Sequence, residues 1–250
     1  MSVYRYLNGI HSGGSIARRS FSGTLSFVAS KSTTRPLPGR QQLPREFIAQ
    51  HQRARIIAAL AEETVEKGYR AVTVADIVRR AGIARNTFYE NFSSKEDCFL
   101  AASEFAVKEA LRRVVDAASK VDTWPARVNS GLAAFLHYVA TEPALARTCI
   151  VEALSAGPAA VERYERSIQA FVPLFRMGRK VSAKGEELPG TLEETIIGGI
   201  FWIIYQRIIM GQTEQIEELL PELVEFSLTP YLGAEAAKRA ASEQPQAAAG

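Results

Sequence analysis

Residues 73–98 are TVADIVRRAGIARNTFYENFSSKEDC, and they contain two short helical patterns that meet at Gly82. Thr73 is a good N-cap for the first helix, and Asp76 three residues on suits a helix N-terminus. Glycine ends that helix because it adopts the left-handed backbone of a helix end without strain. Two short helices joined by a tight turn form the unit that fits the major groove of a DNA duplex. The stretch therefore predicts a helix-turn-helix.

The second helix has an apolar face and a polar face. Phe88 and Phe92 are four residues apart, so they point inward together. About half a turn away lie Asn86 and Glu90, and their neighbours are also able to bind base edges or phosphates: Arg85, Thr87, Tyr89 and Asn91. Two packed helices with a merely solvated polar face are the alternative interpretation. The turn, the two-sided second helix and the caps together favour DNA binding.

Residues 53–100, about a fifth of the chain, resemble the N-terminal domain of the TetR/AcrR family of bacterial transcriptional regulators. In that family the second helix of the motif enters the major groove, which implies the same placement here. Ala84 departs from the family pattern, because many members carry Ser there and this helix lacks the usual hydroxyl cap. The residues that carry the resemblance are Glu66-Lys67-Gly68-Tyr69, Thr73-Val74-Ala75-Asp76-Ile77, Ala81-Gly82-Ile83, Thr87-Phe88-Tyr89 with Phe92, and Ser94-Lys95-Glu96.

The resemblance implies which residues meet the DNA. Arg85 is the best candidate for reading a guanine, whereas Glu90 could only accept a hydrogen bond, for example from cytosine N4. Lys95 opposes the dipole of the helix that begins there, and a nearby phosphate would explain a cation at that position. Tyr89 and Thr73 are the other candidates for holding phosphates. The predicted DNA-binding residues are Thr73, Arg85, Asn86, Thr87, Tyr89, Glu90, Asn91 and Lys95.

Helical periodicity continues along the rest of the chain, so we predict an all-α fold. A three-helix domain that contains the helix-turn-helix is expected over residues 45–93. A larger helical domain for ligand binding and dimerisation is expected over 94–233. Residues 1–44 contain six basic residues and no acidic residue, which is typical of a disordered basic arm. The polar, Ala-rich residues 234–250 are predicted to form a disordered tail.

The arm at residues 1–44 allows three further interpretations. Arg35 and Arg40 lie close enough in sequence to enter the minor groove beside the recognition helix. The composition also resembles an organellar transit peptide, although a bacterial regulator family argues against that. Finally, the true start of translation could lie downstream. A secretory signal is not expected, since no apolar stretch of adequate length follows the first arginines.

Composition is that of a globular chain without catalytic motifs. Hydrophobic residues make up 47% of the sequence, enough for a core, and the net charge is +3. Cys98 and Cys149 each fall in an apolar helical pattern, which favours buried free thiols over a redox switch. The three histidines are far apart, and the sequence shows no nucleophile elbow, metal-ligand spacing or Gly-rich phosphate loop. We therefore expect no enzyme activity, no metal and no cofactor.

Residues 196–205, IIGGIFWIIY, are apolar or glycine at every position. This run is too short to span a bilayer, which needs about 20 such residues. A helix that is apolar all round must be buried on every side, and Gly198-Gly199 would permit close approach by a partner helix. In TetR-like proteins the last two helices pair with their copies in a second subunit, which implies a homodimer through helices at about 191–210 and 214–231. An intrachain core helix is the alternative.

The resemblance also implies a pocket among the C-terminal helices, whose ligand changes the spacing of the two recognition helices and releases the DNA. Because buried charges are scarce there, we expect an apolar or amphipathic ligand. Aromatic residues at helical spacing are more often plain core, but they supply most of the candidates. The predicted ligand-binding residues are Trp124, Phe135, Tyr138, Arg147, Glu152, Phe171, Phe175, Trp202 and Tyr205.

Together these features predict a cytoplasmic, homodimeric repressor that binds a palindromic operator in double-stranded DNA and is released by a small-molecule effector, with no membrane partner. One recognition helix reads too few base pairs, whereas two of them a helical turn apart read enough. A ligand-independent architectural DNA-binding protein is the alternative. Such a protein would bind random duplexes almost as well as its best site.

Overall fold

The computed structural model describes residues 45–245, and over that range the chain is helical without a strand. The predicted all-α fold is therefore confirmed. Residues 1–44, predicted to be a basic arm, lie outside the described residues. The helices are α1 (Arg45–Lys67), α2 (Val74–Ala81), α3 (Arg85–Asn91), α4 (Lys95–Ala118), α5 (Trp124–Thr141), α6 (Pro143–Ala146), α7 (Pro158–Arg176), α8 (Leu192–Ile209), α9 (Leu220–Leu232) and α10 (Ala234–Ser242).

Shorter helical turns connect these elements. Short 3-10 helices span Tyr69–Ala71, Glu152–Ser155 and Met177–Lys180, and a longer one spans Thr213–Leu219. Helix α6 continues into a π-helical turn, Arg147–Val151. Prolines lie in the first turns of α5, α6 and α7, where a missing backbone N–H costs nothing. Among residues 45–245, no helix combines the length and the apolar character needed to cross a membrane.

The first three helices pack around a small aliphatic and aromatic core. Ile56 and Leu60 of α1 are fully buried, as are Ile77 of α2 and Phe88 of α3. Val65, which sequence periodicity placed on the inner side of α1, is instead 45% exposed. It lies in the last turns of α1, where the buried positions are instead Glu63 and Thr64.

Helix α4 joins this unit to the remaining helices. Its 24 residues span about 36 Å at 1.5 Å per residue. Ser94 caps its N-terminus by accepting from the Asp97 N–H at 3.1 Å. Cys98 in its first turn is fully buried, and burial raises the pKa of this thiol to about 12, as expected for a core thiol. Helices α5 and α7 pack along the rest of α4, and α8 packs against α7.

Two predictions for the C-terminal region were wrong. The helix predicted at 214–231 divides into the 3-10 helix Thr213–Leu219 and α9, and the tail predicted from residue 234 begins with the helix α10. Alanine has the highest helix propensity, and Ala237 packs into the core at 0% exposure. The Asn129 side-chain amide, itself buried, donates to the Ala240 and Glu243 carbonyls at 2.9 and 3.0 Å. These long-range bonds end α10 and hold it against α5.

Candidate nucleic-acid interface and ligand cavity

The turn between α2 and α3 has the predicted geometry. Thr73 and Asp76 form a reciprocal capping box, in which each side chain accepts from the backbone N–H of the other. Gly82 adopts φ 62° and ψ 42°, the left-handed conformation that ends α2. Ala84 provides no side-chain cap for α3, as its identity predicted. The placement of α2 and α3 therefore depends on one capping box and one glycine.

Helix α3 turns an apolar face inward and a polar face to solvent. Phe88 is 0% exposed and Phe92 2%, whereas Arg85 is exposed and Tyr89 is 46% exposed. The Arg85 guanidinium lies 5.7 Å from the centre of the Tyr89 ring and donates a 3.4 Å hydrogen bond to its hydroxyl. Asn86, Thr87 and Glu90 complete this polar face, with Thr87 half-buried.

Asn91 lies at the end of the same face but is engaged within the chain. Its side-chain amide donates to the Thr87 carbonyl at 2.8 Å, and its own carbonyl accepts from Arg53 of α1 at 2.9 Å. Arg53 also lies 4.2 Å from the centre of the Phe92 ring. The end of α3 is thus attached to α1, and a base contact by Asn91 would require its amide to leave the helix backbone.

Glu63 of α1 is buried and lies at the centre of ion pairs that join α1 to α2. Its carboxylate is 2.7 Å from Lys67 Nζ and 2.7 Å from Arg80 Nε. These two hydrogen bonds, that from Lys67 first, lower the pKa of the Glu63 carboxyl. Lys67 Nζ is also 2.8 Å from Asp76 Oδ1, and this contact is the main reason that the pKa of Asp76 lies well below its usual range.

The low carboxyl pKa values predict a loss of stability in acid. A folded pKa below the unfolded value contributes stability above about pH 4, and this contribution is lost as the pH falls further. We expect Asp76→Asn to lower the melting temperature at neutral pH and to flatten its decline toward pH 2. Thermal unfolding followed by circular dichroism across that range checks this. Asp122→Asn, at an exposed loop position, is the control, and identical pH dependence in all three proteins would contradict the prediction.

Lys95 has acceptors inside the chain. Its ammonium donates to the Tyr69 carbonyl at 3.1 Å and the Val72 carbonyl at 2.9 Å, and it lies 4.4 Å from the centre of the Tyr69 ring. These contacts explain a cation in the first turn of α4 without a phosphate, so the phosphate contact stays a prediction. The same holds for Thr73, whose hydroxyl donates to Asp76 Oδ2 at 2.7 Å.

A cavity of about 310 Å³ lies between α4, α5, α7 and α8, and we call it the first cavity. Its walls are almost entirely apolar, and the exceptions are Ser119 and Arg127. The Arg127 guanidinium donates to the Val121 carbonyl at 3.0 Å. Four residues predicted from the sequence to bind ligand line this cavity: Trp124, Phe135, Phe171 and Phe175.

A second cavity, of about 50 Å³, lies closer to the N-terminal unit along α4. Tyr138, another predicted ligand-binding residue, lines it, and the Tyr138 hydroxyl is buried without a hydrogen-bond partner. Burial raises the pKa of this phenol above its usual value. Phe135, Phe171 and Phe201 line both cavities.

The other four predicted ligand residues line neither cavity. Trp202 is 58% exposed on the outer side of α8 and stacks on Tyr205 at 5.4 Å. Arg147 begins the π-helical turn, and Glu152 follows that turn and accepts from the Tyr69 backbone N–H at 3.3 Å. The two polar residues thus lie beside the N-terminal unit. In the part of the chain that the structure describes, no group of three His, Cys, Asp or Glu side chains could hold a metal ion.

The N-terminal helices match a known family. The profile of the bacterial regulatory proteins of the tetR family matches residues 56–102, which contain the second half of α1, all of α2 and α3 and the start of α4. The chain belongs to the TetR family of transcriptional regulators. The predicted resemblance and the helix-turn-helix are thereby confirmed.

A curated relative is also a helix-turn-helix transcriptional regulator by its name. Over 92 residues the chain is 32% identical to the HTH-type transcriptional activator FasR of Mycolicibacterium smegmatis, an alignment that takes in 33% of this chain and 40% of FasR. The chain thus covers about two fifths of this relative's length. The similarity therefore concerns one part of each protein.

Solved structures share the fold of most of this TetR-family chain. The fatty acid degradation regulator FadR from Bacillus halodurans superposes with a TM-score of 0.64 at 16% identity, covering 73% of this chain and 95% of that one. FadR from Bacillus subtilis, solved in complex with stearoyl-CoA, superposes with a TM-score of 0.60 at 18% identity, covering 72% and 98%. At such identities the likeness concerns the fold.

Sequence reasoning on this TetR-family chain missed the residue that the two cavities share on α8. Phe201 is 7% exposed, lies beside Phe135 at 5.6 Å between ring centres, and faces the cavities. The sequence pattern instead predicts its neighbour Trp202. In a run where every residue is apolar, hydrophobicity does not distinguish the inner side of the helix from the outer. The one sequence signal for Phe201 was the predicted residue Phe171, because aromatic side chains of facing helices pack in clusters.

Proposed function

We propose that the chain is a homodimeric, sequence-specific transcriptional regulator of the cytoplasm, which binds a palindromic operator and is released by an apolar or amphipathic ligand. The observation that carries the proposal is the polar, exposed face of α3 opposite the buried Phe88 and Phe92. A short helix held in this way can enter a major groove without disturbing its own core. Arg85, which forms no ion pair among the described residues, presents its guanidinium on that face.

An outward apolar stripe on α8 supports the homodimer. Gly198, Trp202, Tyr205 and Ile209 follow one another at intervals of four, three and four residues, which places them on one side of a helix. Ile209 is 49% exposed, and a Cβ added at Gly198 would meet no atom within 4 Å. Exposed aromatic and aliphatic groups in one stripe are typical of subunit interfaces. A second copy of α8 would cover them.

The ligand class follows from the first cavity. Its volume of about 310 Å³ lies in the range of ligand sites, and its walls suit a hydrocarbon chain. FadR from Bacillus subtilis, a structural neighbour, was solved with stearoyl-CoA. We propose a fatty acyl compound whose polar head stays near Arg127. A ligand that prefers the DNA-incompetent shape weakens operator binding by its differential affinity.

Selection of bound duplexes from a random library, using the full chain and a version that starts at Arg45, tests the DNA-binding part. We expect a palindrome with half-sites about one helical turn apart. Fusing that operator to a reporter then distinguishes repression from activation, since the relative FasR is named an activator. If the selection enriches no sequence even after the protein is refolded to remove bound ligand, that result would contradict the proposal and favour the architectural alternative.

Arg85→Ala measures base reading directly. We expect a loss of about 1–3 kcal/mol in binding to the selected operator and little change on random DNA, because a base contact carries sequence information and a phosphate contact does not. Fluorescence anisotropy at fixed salt gives both affinities. Arg70→Ala, at an exposed arginine outside α3, is the control. Equal losses on both duplexes would place Arg85 at a phosphate.

A further inference from the structure

Three aromatic rings separate the two cavities, and we call them the aromatic partition. Phe135, Phe171 and Phe201 lie on α5, α7 and α8, and each lines both cavities. Their ring centres are 5.6 to 6.1 Å apart, so each ring contacts the other two. Aromatic pairs at such distances stabilise a packed cluster beyond the burial of their apolar area. The three rings therefore form a continuous wall between the two cavities.

The cavities follow one another along α4. Val115 lines the first cavity and Val107 lines the second, and eight residues of helix separate them by about 12 Å. The first cavity, at about 310 Å³, exceeds the roughly 150 Å³ that holds a benzene molecule. The second, at about 50 Å³, is smaller than that volume. The second cavity therefore needs the partition to move before it accepts a chain.

The far wall of the second cavity is the segment that contacts the N-terminal unit. Cys149 and Ile150 belong to the π-helical turn and line the cavity. The same turn packs against α1, and Glu152 immediately after it accepts from the Tyr69 backbone N–H. A π-helical turn is rare and occurs often at functional sites. An occupant of the second cavity would therefore press on the link to the DNA-binding helices.

We propose that the aromatic partition makes the response depend on chain length: short acyl chains fill only the first cavity, and longer chains displace Phe201, enter the second cavity and move the π-helical turn. This inference rests on the acyl ligand of the proposed function. Binding and DNA release are then separate properties. Chains that stop at the partition bind without releasing DNA, whereas chains that pass it do both.

The test uses saturated acyl-CoA thioesters from octanoyl to stearoyl. Binding is measured by calorimetry, and release of labelled operator DNA is measured by anisotropy. We expect the affinity to rise about fourfold per added methylene while the first cavity fills. For chains that reach the partition, the affinity then stays constant with added length. It rises again only for chains that also release DNA. Phe201→Ala should abolish the level region.

Two matched variants on α4 distinguish an effect on one cavity from a general loss of folding. Val107 and Val115 are both half-buried valines, and phenylalanine at either position fills one cavity. Val107→Phe should leave short-chain affinity unchanged and remove DNA release by long chains. Val115→Phe should weaken binding of every chain. Similar effects of the two variants at all chain lengths would overturn the partition.

The outcomes distinguish this inference from the proposed function. A smooth rise in affinity with chain length, accompanied by DNA release, would overturn the partition and leave the acyl-responsive regulator intact. A level region in the binding series without release of DNA by any chain would overturn the inferred movement of the π-helical turn and also contradict ligand-driven release. Binding of no thioester, with operator binding intact, would overturn both the partition and the acyl ligand but not the DNA-binding role.

Discussion

Phe88→Ala should lose about 3–5 kcal/mol of unfolding free energy and abolish operator binding. Phe88 is 0% exposed in the core between α1 and α3, with its ring centre 5.9 Å from that of Phe92 and 5.4 Å from that of Tyr89. Removing the ring leaves a cavity that rigid neighbouring helices fill only in part. Natural domains are stable by about 5–15 kcal/mol, so this loss removes a large share of the total.

Urea unfolding followed by circular dichroism measures the loss, and anisotropy measures operator binding. Phe105→Ala is the matched control, because Phe105 on α4 is 48% exposed. We expect it to change stability by no more than about 0.5 kcal/mol. Comparable losses in the two variants would show that Phe88 does not hold α3 in the core. The polar face of α3 would then lack the rigid support that DNA reading requires.

Trp202→Glu should break the proposed homodimer. Trp202 is 58% exposed on the apolar stripe of α8 and stacks on Tyr205. Tryptophan is frequent among interface residues whose loss costs at least about 2 kcal/mol of binding free energy. Because a homodimer interface is symmetric, the substitution is present on both subunits and its cost applies twice. We therefore expect the dimer dissociation constant to rise about 10³-fold or more. An unpaired carboxylate in the interface adds a desolvation penalty.

Analytical ultracentrifugation gives the dissociation constant, and anisotropy gives binding to the palindrome and to a half-site. The monomeric variant should lose affinity for the palindrome while its half-site binding stays equal to that of the wild type. Phe105→Glu, which places the same charge at an exposed aromatic position on α4, should leave the dimer intact. A dimer that persists in Trp202→Glu would place the subunit contact on another surface.

The helix-turn-helix could be predicted because its determinants are local. Thr73 pairs with Asp76 three residues away, Gly82 needs its left-handed backbone, and Phe88 and Phe92 share a face at an interval of four. Each relation depends on residues within about one turn of helix. The roles of Lys95 and Asn91 depend instead on distant acceptors and donors, namely the Val72 carbonyl and Arg53.

The C-terminal helices were less predictable because their determinants are long-range. Trp124, Phe135, Phe171 and Phe175 line the first cavity as predicted, but Trp202 lies outside it. Residues 196–205 of α8 are all apolar or glycine and carry no periodic signal, so which side of them is buried depends on the helices packed against it. The same holds for α10, which the sequence marks only as a polar, Ala-rich stretch and which a bond from Asn129 orders.

By itself, the sequence determined the all-helical class, the positions of most helix ends and the motif that places this chain in the TetR family, because caps, glycines and periodicity act within a few residues. Only the tertiary structure decided which aromatic side chains face the cavities, that Glu152 joins the π-helical turn to Tyr69, and that α8 leaves a stripe uncovered. Those outcomes depend on how whole helices pack, and packing is determined by contacts between residues far apart in the chain.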